Sequence, residues 1–247
     1  MAIYLKKFET MSQYNAYTAD TTNFILPNVS LTVDNNTVHY NPSTPPTPSH
    51  DFVEIGGIKW ATMNVGANSI TDTGLYFQWG DTQGYTAAQV GSGEGQKYFS
   101  ENDYIYYNDD SYTKYNEGDS LITLESTDDA VTAAWGGNWR MPTVSEFIAL
   151  GKAVTSAWTA DYQGSGVAGV VLTSNADGAT LFFPACGYAD FGSVYDVGND
   201  GYYWSSSLNA DYGDSNAYYL YFLDIDVYWN YDHGRYDGCP VRGVLDE

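Results

Sequence analysis

Residues 188–245 read YADFGSVYDVGNDGYYWSSSLNADYGDSNAYYLYFLDIDVYWNYDHGRYDGCPVRGVL, and the alternation inside this stretch decides the fold class. In AYYLYFL, which starts at Ala217, Leu220 and Phe222 fall on one side of an extended chain, while Tyr219, Tyr221 and Leu223 fall on the other. In DVYWN, Val227 and Trp229 alternate with Asp226, Tyr228 and Asn230. GYYWSSS and PVRGV add further short strands, punctuated by Gly, Asn and Asp, as in an antiparallel sheet with one face in the core and one face outward. The expected fixed set is Trp204, Leu220, Phe222, Val227, Trp229 and Arg242. The opposite set continues into loops through Tyr231, Asp232, His233, Tyr236 and Asp237, through Asp211, Tyr212 and Asp214, and through Asp190, Phe191, Ser193, Tyr195 and Asp196. These outward residues are the candidate ligand-binding positions. They mix rigid amphipathic rings with small hydrogen-bonding groups, as an antibody paratope does.

The same stretch contains no Lys, Glu, Gln or Met, although all four occur upstream of it. An AAC codon whose two adenines are free to change encodes Asn, Asp, Tyr, His, Ser, Cys, Arg, Gly and most apolar residues, but never Lys, Glu, Gln, Met or Trp. Trp204 and Trp229 therefore belong to the scaffold, where truncating a buried indole costs about 3–5 kcal/mol. Replacing an exposed residue usually changes stability by about 0.5 kcal/mol or less.

Working outward, the chain has 247 residues, enough for one large domain with a small appendage. Its 24 Tyr and 7 Trp lean towards recognition surfaces. Nine Lys plus Arg against 31 Asp plus Glu give a formal charge of −22, which repels nucleic-acid phosphates and anionic lipid. No apolar run suits a secretory signal or membrane insertion. Cys186 and Cys239 are too few for a disulfide framework or a four-cysteine zinc site and are expected as free thiols.

Upstream, residues 1–41 read as a small β/α module for attachment or oligomerisation. AIYLKKF alternates like a strand, Thr10 to Gln13 has capping-box spacing before a short helix, and Val29 to Val33 pairs with Thr37 to Tyr40 around Asp34-Asn35-Asn36. Residues 42–50 form a Pro-rich linker, and 51–247 the working domain. There, Gly56-Gly57 turns one hairpin, Gly74 to Trp79 is a further strand, and residues 81–120 are long Tyr-rich loops. Ser126 or Thr127 is the expected cap of a helix whose first turn holds Asp128 and Asp129 and which runs through Ala130 to Trp135. Thr143 and Glu146 form a capping box for a second helix that buries Val144, Phe147, Ile148 and Gly151. The class is α+β, with two helices and a mainly antiparallel sheet.

Across residues 51–247 a series of motifs keeps a distinctive order. It comprises Trp60 with Met63-Asn64-Val65-Gly66, Gly74-Leu75-Tyr76, and Trp135-Gly136-Gly137-Asn138-Trp139-Arg140-Met141-Pro142-Thr143 leading to Glu146-Phe147. Phe183-Pro184-Ala185-Cys186-Gly187, Tyr203-Trp204-Ser205-Ser206-Ser207 and Val241-Arg242-Gly243-Val244 complete it. The series resembles the Fibrobacter succinogenes major paralogous domain family. That resemblance implies a C-type lectin-like fold and kinship with the variable proteins of diversity-generating retroelements, phage tropism determinants among them. In such proteins adenine-directed mutagenesis varies ligand-contacting positions near the C-terminal end, here 188–245. ILPNVSLTVDNNTVHYNP is similar to a leader segment of phage and prophage proteins of gut bacteria.

The resemblance implies a non-enzymatic receptor-recognition protein, without cofactor, on a virion or bacterial cell surface. Its partner would be a protein or glycan ligand on a bacterial cell, and relatives suggest a homotrimer. The alternative is a carbohydrate-binding or adhesion module of fixed specificity. Calcium-dependent lectins use Glu-Pro-Asn or Gln-Pro-Asp followed by Trp-Asn-Asp, and Trp229-Asn230-Tyr231 departs from the latter at its last residue. Asp196, Asn199 and Asp200, or Asp224 and Asp226, are oxygen donors that suit a hard cation, although acidic loops are usually just solvated. Formylglycine-generating enzymes share a related fold, but Cys186 lies in an apolar setting and Cys239 in the variable stretch. His39, His50 and His233 are too dispersed for a triad.

Overall fold

The computed structural model describes the backbone of residues 29–34, 37–42 and 50–247, and side chains from residue 50 onward except that of Tyr212. The chain divides into two units, Met1–Ser49 and His50–Glu247. In the first, β1 (Val29–Asp34) and β2 (Thr37–Pro42) form an antiparallel hairpin with Asp34 opposite Thr37. The strand expected at 2–8, the helix expected at 10–17 and most of the Pro-rich run lie outside the described residues.

The second unit begins with β3 (Phe52–Ile55) and β4 (Ile58–Asn64), joined through Gly56 and Gly57, both at positive φ. The minimal strands β5 (Tyr107–Asn108) and β6 (Ser111–Tyr112) punctuate the long loops. Next come α1 (Ala130–Trp135), β7 (Trp139–Arg140), α2 (Val144–Ala153), β8 (Val154–Thr159), β9 (Gly169–Ser174) and β10 (Thr180–Pro184). The remainder is all strand: β11 (Tyr188–Asp190), β12 (Ser193–Tyr195), β13 (Gly201–Leu208), β14 (Asn216–Phe222), β15 (Val227–Gly234) and β16 (Arg242–Leu245). The larger sheets run β3-β4-β16-β7, β10-β9-β8 and β13-β14-β15, all antiparallel, so the architecture is α+β as expected. Gly74 to Trp79 makes only single bridges at Tyr76 and Phe77 rather than a strand, because its neighbours there are a loop and Cys239.

The helices correct two sequence expectations. The cap of α1 is Asp129, not Ser126 or Thr127: its Oδ1 accepts from the backbone N–H groups of Val131 and Thr132 at 2.9 Å each. Its other oxygen accepts from Met141 N–H at 2.8 Å, tying α1 to the strand after it. In α2 the Thr143–Glu146 capping box is present, but the buried stripe is Phe147 and Leu150, with Val144 and Ile148 only half-buried. Trp229 of β15 packs on Gly151, where a Cβ would come 2.6 Å from the indole, so that position of the expected stripe does meet the sheet.

The β13-β14-β15 sheet separates two apolar clusters. Tyr203, Leu220 and Phe222 pack with Trp60, Phe147, Leu150, Leu172 and Phe183 on one side. Trp204, Ala217 and Tyr219 pack with Trp79, Val131, Trp139 and Val241 on the other. Each fully buried apolar side chain contributes roughly 1.5–3 kcal/mol.

Two fully buried arginines fasten the strands to the loops. Arg242 donates to Asn64 Oδ1 at 2.8 Å, Ala61 O at 2.9 Å and Phe182 O at 3.2 Å, and lies 4.5 Å from the Phe183 ring centre. Arg235 donates to Tyr115 O and Lys114 O at 2.8 Å each, with its guanidinium 4.1 Å from the Tyr112 ring centre and 5.3 Å from that of Tyr104. The Tyr-rich loops are thus wrapped around a cation rather than laid on the surface. Burial lowers the pKa of both arginines.

Candidate functional site

Cross-strand register builds the site. Tyr202 of β13 sits opposite Tyr221 of β14, and Trp204 opposite Tyr219, so all four lie on one face of the sheet. Strict alternation along β15 would put Tyr228 and Asn230 together on that face. Instead the pairing runs Tyr221 to Tyr228 and then Tyr219 to Tyr231, leaving one extra residue on β15. This bulge switches parity, so Tyr231 and His233 join Tyr228 while Asn230 is set aside, exposed.

The result is a bowl of tyrosine rings. Tyr202 and Tyr221 have centroids 5.0 Å apart, Tyr221 and Tyr231 5.4 Å, and Tyr219 and Tyr231 5.9 Å. Tyr228 stacks on Tyr221 at 5.6 Å with 19° between planes. Tyr188 of β11 closes the far wall, 4.8 Å from Tyr202 and 6.1 Å from His233. The half-open cavity of about 270 Å³ is completed by Asp237 and Cys239.

The rim is held by hydroxyl-to-carboxylate bonds. Tyr221 donates to Asp200 Oδ2 at 2.9 Å, and Tyr202 lies 3.4 Å from both Asp200 Oδ2 and Asp196 Oδ2. Asp196 and Asp200, sequence candidates for a cation, are thus occupied as acceptors for rim tyrosines. Among the described residues no group of three or more His, Cys, Asp or Glu side chains is arranged to hold a metal ion. Burial, followed by bonding to Asp200, pushes the Tyr221 hydroxyl up to about 12, so it stays a donor at neutral pH.

At the floor, His233 Nδ1 pairs with Asp237 Oδ2, and Asp190 approaches from β11. Asp237 is 1% exposed, its Oδ1 and Asp190 Oδ1 are buried, and the two carboxyl groups face one another with His233 as their cationic neighbour among the described residues. Burial and then the Asp237 charge push the Asp190 carboxyl up to about 6. Burial raises Asp237, and its hydrogen bond to that carboxylate raises His233. Cys186 and Cys239 are free and buried, and burial raises both thiol pKa values, which disfavours the nucleophilic thiolate.

Five of the sequence candidates line the cavity: Tyr219, Tyr221, Tyr231, His233 and Asp237. Tyr228 adjoins them. Two of these depart from the expected outward set: Tyr219 is 2% exposed and Asp237 1%, because the bowl is sunk into the sheet and their side chains form its base. Phe191, Ser193, Tyr195 and Asp196 are exposed around the β11–β12 hairpin, with the Phe191 ring edge-on to Tyr98 at 5.9 Å. Asp211 and Asp214 sit on the loop between β13 and β14, Leu223 and Asp226 close the turn into β15, and Tyr236 is half-buried beyond it. Asp232 accepts from Asn216 at 2.7 Å on the side of β15 away from the bowl. Nothing is described for the Tyr212 side chain. Strand parity, applied to AYYLYFL and DVYWN, left Tyr202 unassigned, and it also missed Tyr188 and Cys239, which come from outside β14 and β15. A cross-strand partner for Tyr221 was the available signal for Tyr202.

No protein family, curated protein or solved structure matches the chain. The reading of the site rests on its own residues.

Proposed function

We propose that this chain is a non-enzymatic recognition protein with a C-type lectin-like fold. In this reading its C-terminal strands carry a ligand-binding face diversified by adenine-directed mutagenesis, on a virion or bacterial surface, against a protein or glycan of a bacterial cell. One observation carries the reading: the side chains lining the bowl are Tyr, His, Asp and Cys, all reachable from AAC, while Trp204 and Trp229, which are not, stand outside the lining. Exposed positions point the same way. Where Lys, Glu or Gln would be ordinary, residues 188–245 expose Phe191 at 56%, Val197 at 57% and Ile225 at 81%. Apolar residues at such positions suit a surface that is sampled rather than optimised for solubility. In this reading the two-cluster core and the buried arginines supply rigidity, so that change at the rim costs little.

A displayed library tests this without knowledge of the natural ligand. Positions 221, 228, 231 and 233 are replaced by AAC-derived codons, and clones are selected on three unrelated immobilised proteins. Most clones are expected to fold, and distinct binders are expected against each target. A library that is largely unfolded, or that yields no binder to any of the three, overturns the reading. A module of fixed sugar specificity also suits exposed tyrosines beside carboxylates, but it would fold in such a library and give no new protein binders.

A further inference from the structure

We infer that in this sequence the tyrosine bowl receives an organic cation, an alkylammonium or guanidinium group, with its charge above Asp237 and its carbons lying against Tyr202, Tyr221 and Tyr231 inside the cavity. The inference deepens the recognition reading above and rests on it. A carboxylate that is 1% exposed is costly unless it is matched, and among the described residues no cationic side chain other than His233 pairs with Asp237. His233 answers one oxygen from an exposed ring, and the remaining neighbour, Asp190, is itself a carboxyl that can bring a proton but no positive charge. The walls above Asp237 are rings packed on one another, with centroids 5.0 Å apart for Tyr202 and Tyr221 and 5.4 Å for Tyr221 and Tyr231, so a ligand in the cavity lies against this aromatic wall rather than between its rings. An aromatic wall of this kind holds cations through their attraction to ring faces, and each such contact contributes more when water is excluded. The cavity of about 270 Å³ suits one side-chain head group rather than an extended ligand. A chain of net charge −22 also draws cations from a distance. An anionic or plain hydrocarbon group would leave Asp237 worse placed than water does.

The test is a fluorescence or NMR titration of the intact protein with N-acetyl-lysine methylamide, N-acetyl-arginine methylamide, choline and the neutral N-acetyl-norleucine methylamide. Saturable binding of at least one cation is expected, at least tenfold tighter than norleucine amide. The lysine and arginine amides stand for a protein ligand, and choline for a small quaternary ammonium or lipid head group. Asp237→Asn is expected to weaken binding at least tenfold. Tyr231→Ala, at a half-exposed site that leaves the core intact, is expected to weaken it as well. Norleucine amide binding as tightly as the cations, no saturation by on the order of 100 mM, or an Asp237→Asn protein that folds and binds unchanged would overturn the inference. If rim libraries yield binders while these cations fail, the recognition reading stands and the cation assignment falls.

Discussion

Tyr219 and Tyr228 share one face of one sheet, yet truncating them should have very different consequences. The Tyr219 side chain is 2% exposed and meets Trp204 edge-on at 5.6 Å, Tyr202 at 5.6 Å and Tyr231 at 5.9 Å. Removing a buried aromatic ring costs about 3–5 kcal/mol, and the lost ring pairs add to that. Because Tyr219 also lines the bowl, water can enter part of the space it leaves, so we place Tyr219→Ala near the lower end, about 3 kcal/mol. Tyr228 is 40% exposed and keeps one stacked partner, Tyr221, so Tyr228→Ala should cost about 1 kcal/mol or less. The assay is urea unfolding followed by tryptophan fluorescence, with Cm and m fitted separately. For a unit of this size, thermal midpoints should fall by roughly 6–12 °C for Tyr219→Ala and by no more than about 4 °C for Tyr228→Ala. Near-equal losses, or a Tyr219→Ala loss below about 1 kcal/mol, would refute the division of this face into a buried base and an open rim.

Other perturbations read different parts of the scaffold. Gly187 has φ of +63°, and a Cβ there would lie 1.8 Å from Tyr195 O, so Gly187→Ala should cost roughly 4 kcal/mol or more; soluble, cooperatively unfolding Gly187→Ala protein would contradict the local geometry. Phe191 sits at φ +41° beside Gly192 at +72° in a two-residue hairpin turn, so Phe191→Asn should raise stability by about 1 kcal/mol, and a loss would contradict the turn assignment. Asp190, Asp237 and His233 all hold protons more tightly when folded than when unfolded. Their contribution is therefore present at low pH and lost as pH rises through about 6 for Asp190, and through the raised His233 pKa above 6.5. Replacing Asp190 with Asn and His233 with Gln together should flatten the fall in thermal midpoint between pH 5 and 7.5, and an unchanged slope would argue against the coupled floor.

Elements set by local chemistry were legible in the sequence. The Thr143–Glu146 capping box, the Gly56-Gly57 turn and the strand alternation of β14 each depend on residues within a few positions of one another. What could not be read was set by distant partners. Asp129 replaced Ser126 and Thr127 as the α1 cap because it also bonds Met141 N–H, and the buried stripe of α2 is Phe147 and Leu150, with Gly151 leaving room for Trp229 of the distant β15. The bowl depends on an extra residue in β15, which no alternation pattern announces and which moves Tyr231 and His233 to the side opposite the one that counting gives. Tyr188 and Cys239 enter the site from separate segments, and only tertiary packing brings them there. The tyrosines of residues 104–115 looked like surface loop residues because their reason for burial, Arg235, lies more than a hundred positions away.

The DNA around the coding region tests the central claim most directly. A near-copy of the sequence encoding residues 188–245 is expected close to a reverse transcriptase gene. Its mismatches should be confined to template adenines and should fall on rim codons such as those of Tyr221, Tyr228, Tyr231 and His233, with the codons of Trp204 and Trp229 unchanged. A flanking sequence with no such copy, or a copy whose mismatches fall evenly on all four bases and on the tryptophan codons, would contradict diversification of this face.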